Sequence, residues 1–132
     1  MNYQDHVVVL TGASGGIGSA MAKKFTDLGA KVALLDITVD RVQALADKLG
    51  LGSDRAFCAA VDVSNEESVK ATVDAIVKHF GRIDVLVNAA GIPGPSARVE
   101  DYSFSDAKKV LSVNLFGTFL MMHTAVSYTH LT

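Results

Sequence analysis

Polar and apolar positions along the chain fall into two alternating kinds of block. Short, nearly unbroken apolar runs stand at His6 to Leu10, Lys31 to Asp36, Ala56 to Val61 and Ile83 to Val87. Strands buried on both faces read this way, as in parallel sheets. Between them, apolar residues recur at helical spacing. The first stripe is Ile17, Ala20, Met21, Phe25 and Leu28, with Gly29 as its stop. Val42, Leu45, Ala46 and Leu49 predict a second helix, capped by Thr38 and ended by Gly50. Ser64 with Glu67 three residues on has the form of a capping box. It opens a third helix carrying Val69, Val73, Ile76, Val77 and Phe80 on one face, stopped by Gly81. Pro93, Gly94 and Pro95 make residues 92–103 a loop. Ser103, with Asp106 three on, caps a short helix. A last helical segment from about Val110 to Ala125 is apolar on most sides, which predicts wide burial by a sheet or a partner subunit.

The resulting order, β-α-β-α-β-α-β, predicts the α/β class with a Rossmann-type, doubly wound parallel sheet, continuing only to the fourth strand and its following helix. Right-handed crossovers place helices on both faces. A strand order of 3-2-1-4 puts the topological switch beside strand 1, and ligands of such sheets bind there, outside the strand C-termini.

Composition narrows the classes of function. With 132 residues and 49% hydrophobic content, the chain can build one domain with a core and is not disordered. Twelve Lys and Arg against 14 Asp and Glu give a formal charge of −2, which provides no footprint for nucleic acid. Cys58 is the only cysteine, so an intrachain disulfide and a cysteine-based metal site are excluded; it reads as a small core residue. His6, His79, His123 and His130 do not cluster in sequence, so no metal site is expected. The start carries Asp5 and lacks a basic stretch followed by a long apolar one, unlike a signal peptide. Val110 to Val126 is interrupted by Ser112, Asn114, Gly117, Thr118, His123 and Thr124, so no membrane span is expected and the cytoplasm is the expected location.

The chemistry is concentrated at the strand ends. Leu10 to Gly18 reads as strand, glycine-rich turn and helix start, a place where unpaired N–H groups and the helix dipole favour a phosphate. A P-loop would need Lys and Ser or Thr after the glycines, and neither stands there. G-x-G-x-x-G, started at Gly16 and Gly18, fails at Met21. What stands is Thr11-Gly12-x-x-x-Gly16-x-Gly18. Asp36 ends strand 2, a little under ~20 residues after the last glycine, where an acidic side chain accepts the ribose hydroxyls of a dinucleotide. It would also repel a 2′-phosphate. No Arg or Lys stands in the turn or just after Asp36 to offset that, which predicts NAD over NADP.

With Asp62-Val63 after strand 3 and Asn88-Ala89-Ala90-Gly91 after strand 4, the motifs stand in an order that resembles the short-chain dehydrogenase/reductase family from Val7 to about Ala125. The resemblance implies an NAD site formed by Thr11, Gly12, Ser14, Gly15, Gly16, Ile17, Gly18, Asp36, Asp62, Val63, Asn88, Ala89, Ala90 and Gly91. In that family the acid at Asp62 bonds the adenine amino group and the next backbone N–H a ring nitrogen, although capping by Ser64 explains part of this segment. Small residues in the Asn88–Gly91 turn allow close backbone approach, and Asn88 can tie neighbouring strands together. Asn114, in Val113-Asn114-Leu115-Phe116-Gly117-Thr118, matches the family's catalytic asparagine, set in a local helix distortion; the other reading is a buried structural Asn.

The implied reaction is hydride transfer between the nicotinamide and a small-molecule alcohol or carbonyl substrate. The family's catalytic Ser and Tyr-x-x-x-Lys map to no position, since Tyr128 is followed four residues on by Thr132 and Tyr3 and Tyr102 lie in the wrong places. Residues 1–125 thus read as the cofactor half of such a domain. Residues 126–132 depart abruptly from the pattern, as an anomalous, foreign tail on a truncated product or as a genuine short variant. The full-length parent is expected to be a homo-oligomer, and the isolated chain, with an open fourth strand, to be poorly soluble. A non-catalytic dinucleotide-binding or redox-sensing module is the alternative, since it needs the same glycines and no Tyr-Lys pair.

Overall fold

The computed structural model describes residues 2–129. Strand β1 (Val7–Thr11) leads to helix α1 (Gly16–Asp27), followed by β2 (Lys31–Asp36), α2 (Val39–Lys48), β3 (Ala56–Ala60), α3 (Glu66–Phe80) and β4 (Val85–Asn88). A single 3-10 turn (Val99–Asp101) precedes α4 (Phe104–Leu111), which runs through a π-helical turn (Ser112–Phe116) into α5 (Gly117–Thr129). The four strands pair in parallel in the order β3-β2-β1-β4, as predicted.

Alternation along the strands divides the core between the two faces of the sheet. Val7 and Val9 of β1, with Ala33 and Leu35 of β2, pack toward Val69, Val73 and Ile76 of α3 and Met121 and Ala125 of α5. Val8, Leu10, Val32 and Leu34 face the other way, onto Ala22 of α1 and Val42 and Ala46 of α2. Every residue of β1 is buried, which is why it reads as an unbroken apolar run. Each Val or Leu so placed contributes about 1.5–3 kcal/mol over an exposed position.

The second helix buries the stripe read from the sequence, although Thr38, at its cap position, makes no side-chain capping bond. The first buries it only in part: Met21 and Phe25 pack against the core and Leu28 is half-buried, while Ile17 and Ala20 are exposed and Gly18 and Ala22 are the fully buried positions. Close approach of Gly18 to the β1–α1 turn places the start of this helix, where the stripe fails. The cap of α3 is Asn65, whose Oδ1 accepts the Ser68 N–H at 2.8 Å. Ser64 is drawn instead to Asp62, so the Ser64–Glu67 box does not form. Ser103 caps α4 as predicted, accepting the Asp106 N–H at 3.1 Å. Cys58 is half-buried, and burial pushes its thiol pKa up.

Wide burial of the last helical segment is not found within this chain. One stripe, Gly117, Met121 and Ala125, is buried, while Leu111, Leu115, Phe116, Phe119, Met122 and Val126 are exposed. By length and composition alone, Phe104–Thr129 is long and apolar enough to cross a bilayer. Its Met121 and Ala125 nonetheless belong to the core beneath the sheet. Residues 126–129 continue α5; the rest of the tail, with His130, lies outside the described residues.

Candidate cofactor cleft

The β1–α1 turn, the C-terminal ends of β2, β3 and β4, and the end of α4 with the π turn border a cleft of about 590 Å³ at the predicted switch point. The glycines of the turn have different jobs. Gly12 has φ +61°, and a Cβ there would lie 2.6 Å from the Ala89 carbonyl oxygen. A Cβ on Gly18 would collide with the Gly12 carbonyl oxygen and stand 2.9 Å from Ala13 Cα. The fold itself therefore requires both glycines. Around Gly16 there is open space, so no packing within the chain demands a glycine there. At the start of α1 no side chain caps the helix and no acid sits in the first turn, leaving the positive end of the dipole unopposed.

Thr11 holds this turn to the one after β4. Its buried hydroxyl accepts the N–H groups of Ala89 and Ala90, both at 3.2 Å. Asn88 pairs with Thr11 through the backbone register, but its side chain makes no hydrogen bond among the described residues, so it does not tie strands together as expected.

Asp36 is held at the end of β2. Its Oδ2 accepts the Ser14 N–H at 3.1 Å and the Ser14 hydroxyl at 2.5 Å, and its Oδ1 accepts the Ile37 N–H at 2.8 Å. Burial alone would raise its pKa; the Ser14 hydroxyl and the two backbone N–H groups outweigh this and hold it below the usual carboxylate range. It therefore lines the cleft as an anion, and Ser14 acts on it rather than on the open space.

Asp62 folds back on its own turn, its Oδ1 accepting the Ser64 N–H at 3.0 Å and the Ser64 hydroxyl at 2.6 Å. Val63 is buried against the start of α5, where a Cβ on Gly117 would stand 2.6 Å from Val63 Cγ2. Asn114 lies in the π turn, the local distortion that the resemblance implied. It is exposed rather than buried, and its side chain grips the main chain of one residue: Oδ1 accepts the Ile92 N–H and Nδ2 donates to the Ile92 carbonyl, both at 2.8 Å.

The structure thus brings Gly12, Ser14, Gly15, Asp36, Asp62 and Val63 to one cleft with the Ala89–Gly91 turn. Thr11 and Gly18 stand behind it as supports, and the Ile17 side chain is exposed. The sequence reading missed Arg41, Ile92, Lys109 and Val113, which also line it. Arg41 sits five residues after Asp36, where the spacing was a usable signal. Lys109 and Val113 arrive only through the path of α4 and the π turn.

The model of the short chain dehydrogenase family matches residues 6–130. D-threitol dehydrogenase of Mycolicibacterium smegmatis is 44% identical over 117 residues, 87% of this chain and 44% of that protein. (+)-Borneol dehydrogenase 2 of Salvia officinalis is 40% identical over 121 residues, 90% of this chain and 42% of that protein. Among solved structures, levodione reductase superposes with a TM-score of 0.91 at 33% identity, over 96% of this chain and 50% of its own. A 3-ketoacyl-(acyl-carrier-protein) reductase from Brucella melitensis complexed with NADH gives 0.90 at 33%, over 96% and 51%. The chain spans about half the length of these relatives. Sequence, topology and the ordered strand-end motifs agree: the chain belongs to the short-chain dehydrogenase family.

Proposed function

We propose that these residues are the cofactor-binding half of an NAD-dependent oxidoreductase that moves a hydride between the nicotinamide and a small alcohol or carbonyl substrate. The carrying observation is Asp36, held as an anion beside a turn whose Gly16 keeps open space in front of the α1 N-terminus. Ser14 occupies Oδ2 twice, whereas Oδ1 accepts only the Ile37 N–H and retains a lone pair for a ribose hydroxyl. The same charge disfavours a 2′-phosphate. The Gly16 backbone and the dipole of α1 would hold the pyrophosphate, and the Asp62–Val63 and Ala89–Gly91 turns would border the adenosine and the path toward the nicotinamide. Bound nicotinamide supplies the hydride chemistry. Asn114 would serve the reaction end from the π turn, where its side chain also holds the main chain of Ile92.

No Tyr-x-x-x-Lys stands in the 132 residues, so by themselves they bind the dinucleotide without turning it over. A non-catalytic dinucleotide sensor is the alternative, since it needs the same glycines and no Tyr-x-x-x-Lys pair. In the enzyme reading the whole protein acts in the cytoplasm as a homo-oligomer, associating through the apolar face of α4 and α5. Calorimetric titration of the chain with NAD and NADP tests the cofactor reading. Tighter NAD binding supports it, and equal or tighter NADP binding refutes the preference. Dehydrogenase activity in a protein extended through a Tyr-x-x-x-Lys helix distinguishes enzyme from sensor.

A further inference from the structure

The chain between β4 and α4 starts as a wall of the cleft, where Gly91 and Ile92 are part of the lining. Asn114 grips the main chain of Ile92. A second hold lies at Gly94, whose φ of +71° is a left-handed conformation that favours glycine. The place a Cβ would take there is filled by the Tyr102 hydroxyl, and Val110 Cγ2 of α4 stands 2.6 Å from it. The 3-10 turn brings Tyr102 back to this point, its N–H donating to the Val99 carbonyl at 3.3 Å. Gly94, Tyr102 and Val110 are half-buried, whereas residues 95–101 are exposed. The loop is therefore closed at its base by one aromatic side chain, with its arc in solvent. Pro93 stands between the two holds, and its ring fixes φ, so a shift at Gly94 passes on to Ile92 instead of being absorbed.

We propose that Tyr102 is a positioning residue, a clasp over Gly94 that holds the Gly91–Ile92 wall in place along the path of the nicotinamide half of the dinucleotide. Tyr102 is not part of the cleft lining and acts through Gly94 and Ile92. The adenosine half meets other elements, Asp36 at the end of β2 and the start of α1, and β2 lies on the opposite side of β1 from β4. Loss of the clasp should therefore weaken a whole dinucleotide and spare its adenosine half.

This inference rests on the dinucleotide reading, and the test separates the two. Calorimetry gives the affinities of the 132-residue chain and its variants for NAD and 5′-AMP, amide hydrogen exchange by NMR follows Ile92 and Val9, and circular dichroism checks the fold. Tyr102→Ala should speed exchange at Ile92 by about tenfold, as for the loss of one packed side-chain contact, and leave Val9 in β1 unchanged. The same variant should lose about tenfold in NAD affinity and keep that for 5′-AMP. Gly94→Ala, which sets a methyl against the Tyr102 hydroxyl, should lose NAD affinity as well. Adding Tyr102→Phe removes the opposing hydroxyl and should recover part of that loss, although Tyr102→Phe alone does not tighten NAD binding; this opposite sign marks direct contact between the two positions. If Tyr102→Ala does not fold, the Gly94→Ala and Tyr102→Phe set is read alone. Unchanged exchange at Ile92, equal losses of NAD and 5′-AMP, or no recovery in the double variant overturns the role of Tyr102 and leaves the cofactor reading standing. Failure of the unaltered chain to bind either probe overturns both.

Discussion

Replacing Gly16 and Gly18 by alanine, one at a time, separates what the fold requires from what a ligand requires. At Gly18 the added methyl would overlap the Gly12 carbonyl oxygen and approach Ala13 Cα to 2.9 Å. These are backbone atoms, so no side chain can swing aside, and overpacking of this kind costs about 1–3 kcal/mol. The helix propensity of alanine returns about 1 kcal/mol. A net loss of up to about 2 kcal/mol is expected for Gly18→Ala. At Gly16 the methyl meets nothing within 4 Å. Gly16→Ala should leave stability unchanged or raise it by up to about 1 kcal/mol. Its methyl would nonetheless project from the first turn of α1, where close approach of a pyrophosphate is proposed, so NAD affinity should fall by about tenfold or more. Urea denaturation followed by circular dichroism gives the two stabilities, and calorimetric titration gives the two affinities. Equal destabilisation by both substitutions would refute the packing argument, and unaltered NAD affinity in Gly16→Ala would refute the assignment of that open space to the cofactor.

Thr11→Val keeps the shape of the side chain and removes the acceptor for the Ala89 and Ala90 N–H groups; it should cost about 1–3 kcal/mol in denaturant, and Thr11→Ser should recover most of it. The folded-state pKa of Asp36 is depressed, so its contribution to stability is complete above the unfolded carboxylate pKa of about 3.9 and is lost as pH falls through the lower folded value. The stability difference between the unaltered chain and Asp36→Asn should therefore shrink as denaturation is repeated at pH values falling below about 4; a difference constant with pH would contradict it. Asn114→Ala releases the main-chain N–H and carbonyl of Ile92 to solvent, costing about 1 kcal/mol, and hydrogen exchange of the amide at Ile92 should accelerate while that at Leu34 does not.

Legibility in the sequence followed how local the cause was. β1 and β2 could be read because they are buried on both faces and leave unbroken apolar runs, and β3 and β4, mostly half-buried, because apolar runs stand between helical stripes. Asn65 was missed as a cap because Ser64 fits the capping pattern equally well, and only the turn after β3 reveals that Asp62 takes its hydroxyl. The first turn of α1 departs from the stripe because Gly18 is buried for lack of a side chain, and a stripe read by hydrophobicity passes over a glycine. The helix through Asn114 was legible as a distorted one by resemblance alone. Nothing local announces that its amide meets Ile92, 22 residues earlier. Lys109 shares the same difficulty, since a cation on an amphipathic helix reads as a solvated face until the cleft is assembled.

The cleft residues are for the most part engaged with one another. Thr11 holds Ala89 and Ala90, Ser14 holds Asp36, Ser64 holds Asp62, and Asn114 holds Ile92. Each bond fixes one strand-end turn against its neighbours or itself, so the cleft is shaped before anything enters it and a ligand need not order these groups on binding. Subtracting those bonds leaves a short set of unengaged groups in the cleft, one lone pair on Asp36 Oδ1 and the cations of Arg41 and Lys109, with the exposed, open Gly16 at the helix end outside its lining. A ligand meeting that set carries a phosphate for the helix end, a hydroxyl to donate to Asp36, and a flat apolar body for the Ile37 and Val113 walls. Adenosine joined to a pyrophosphate has all three, and inorganic phosphate has only the first. On the proposed function, the unengaged groups favour a nucleotide over a bare anion at this cleft.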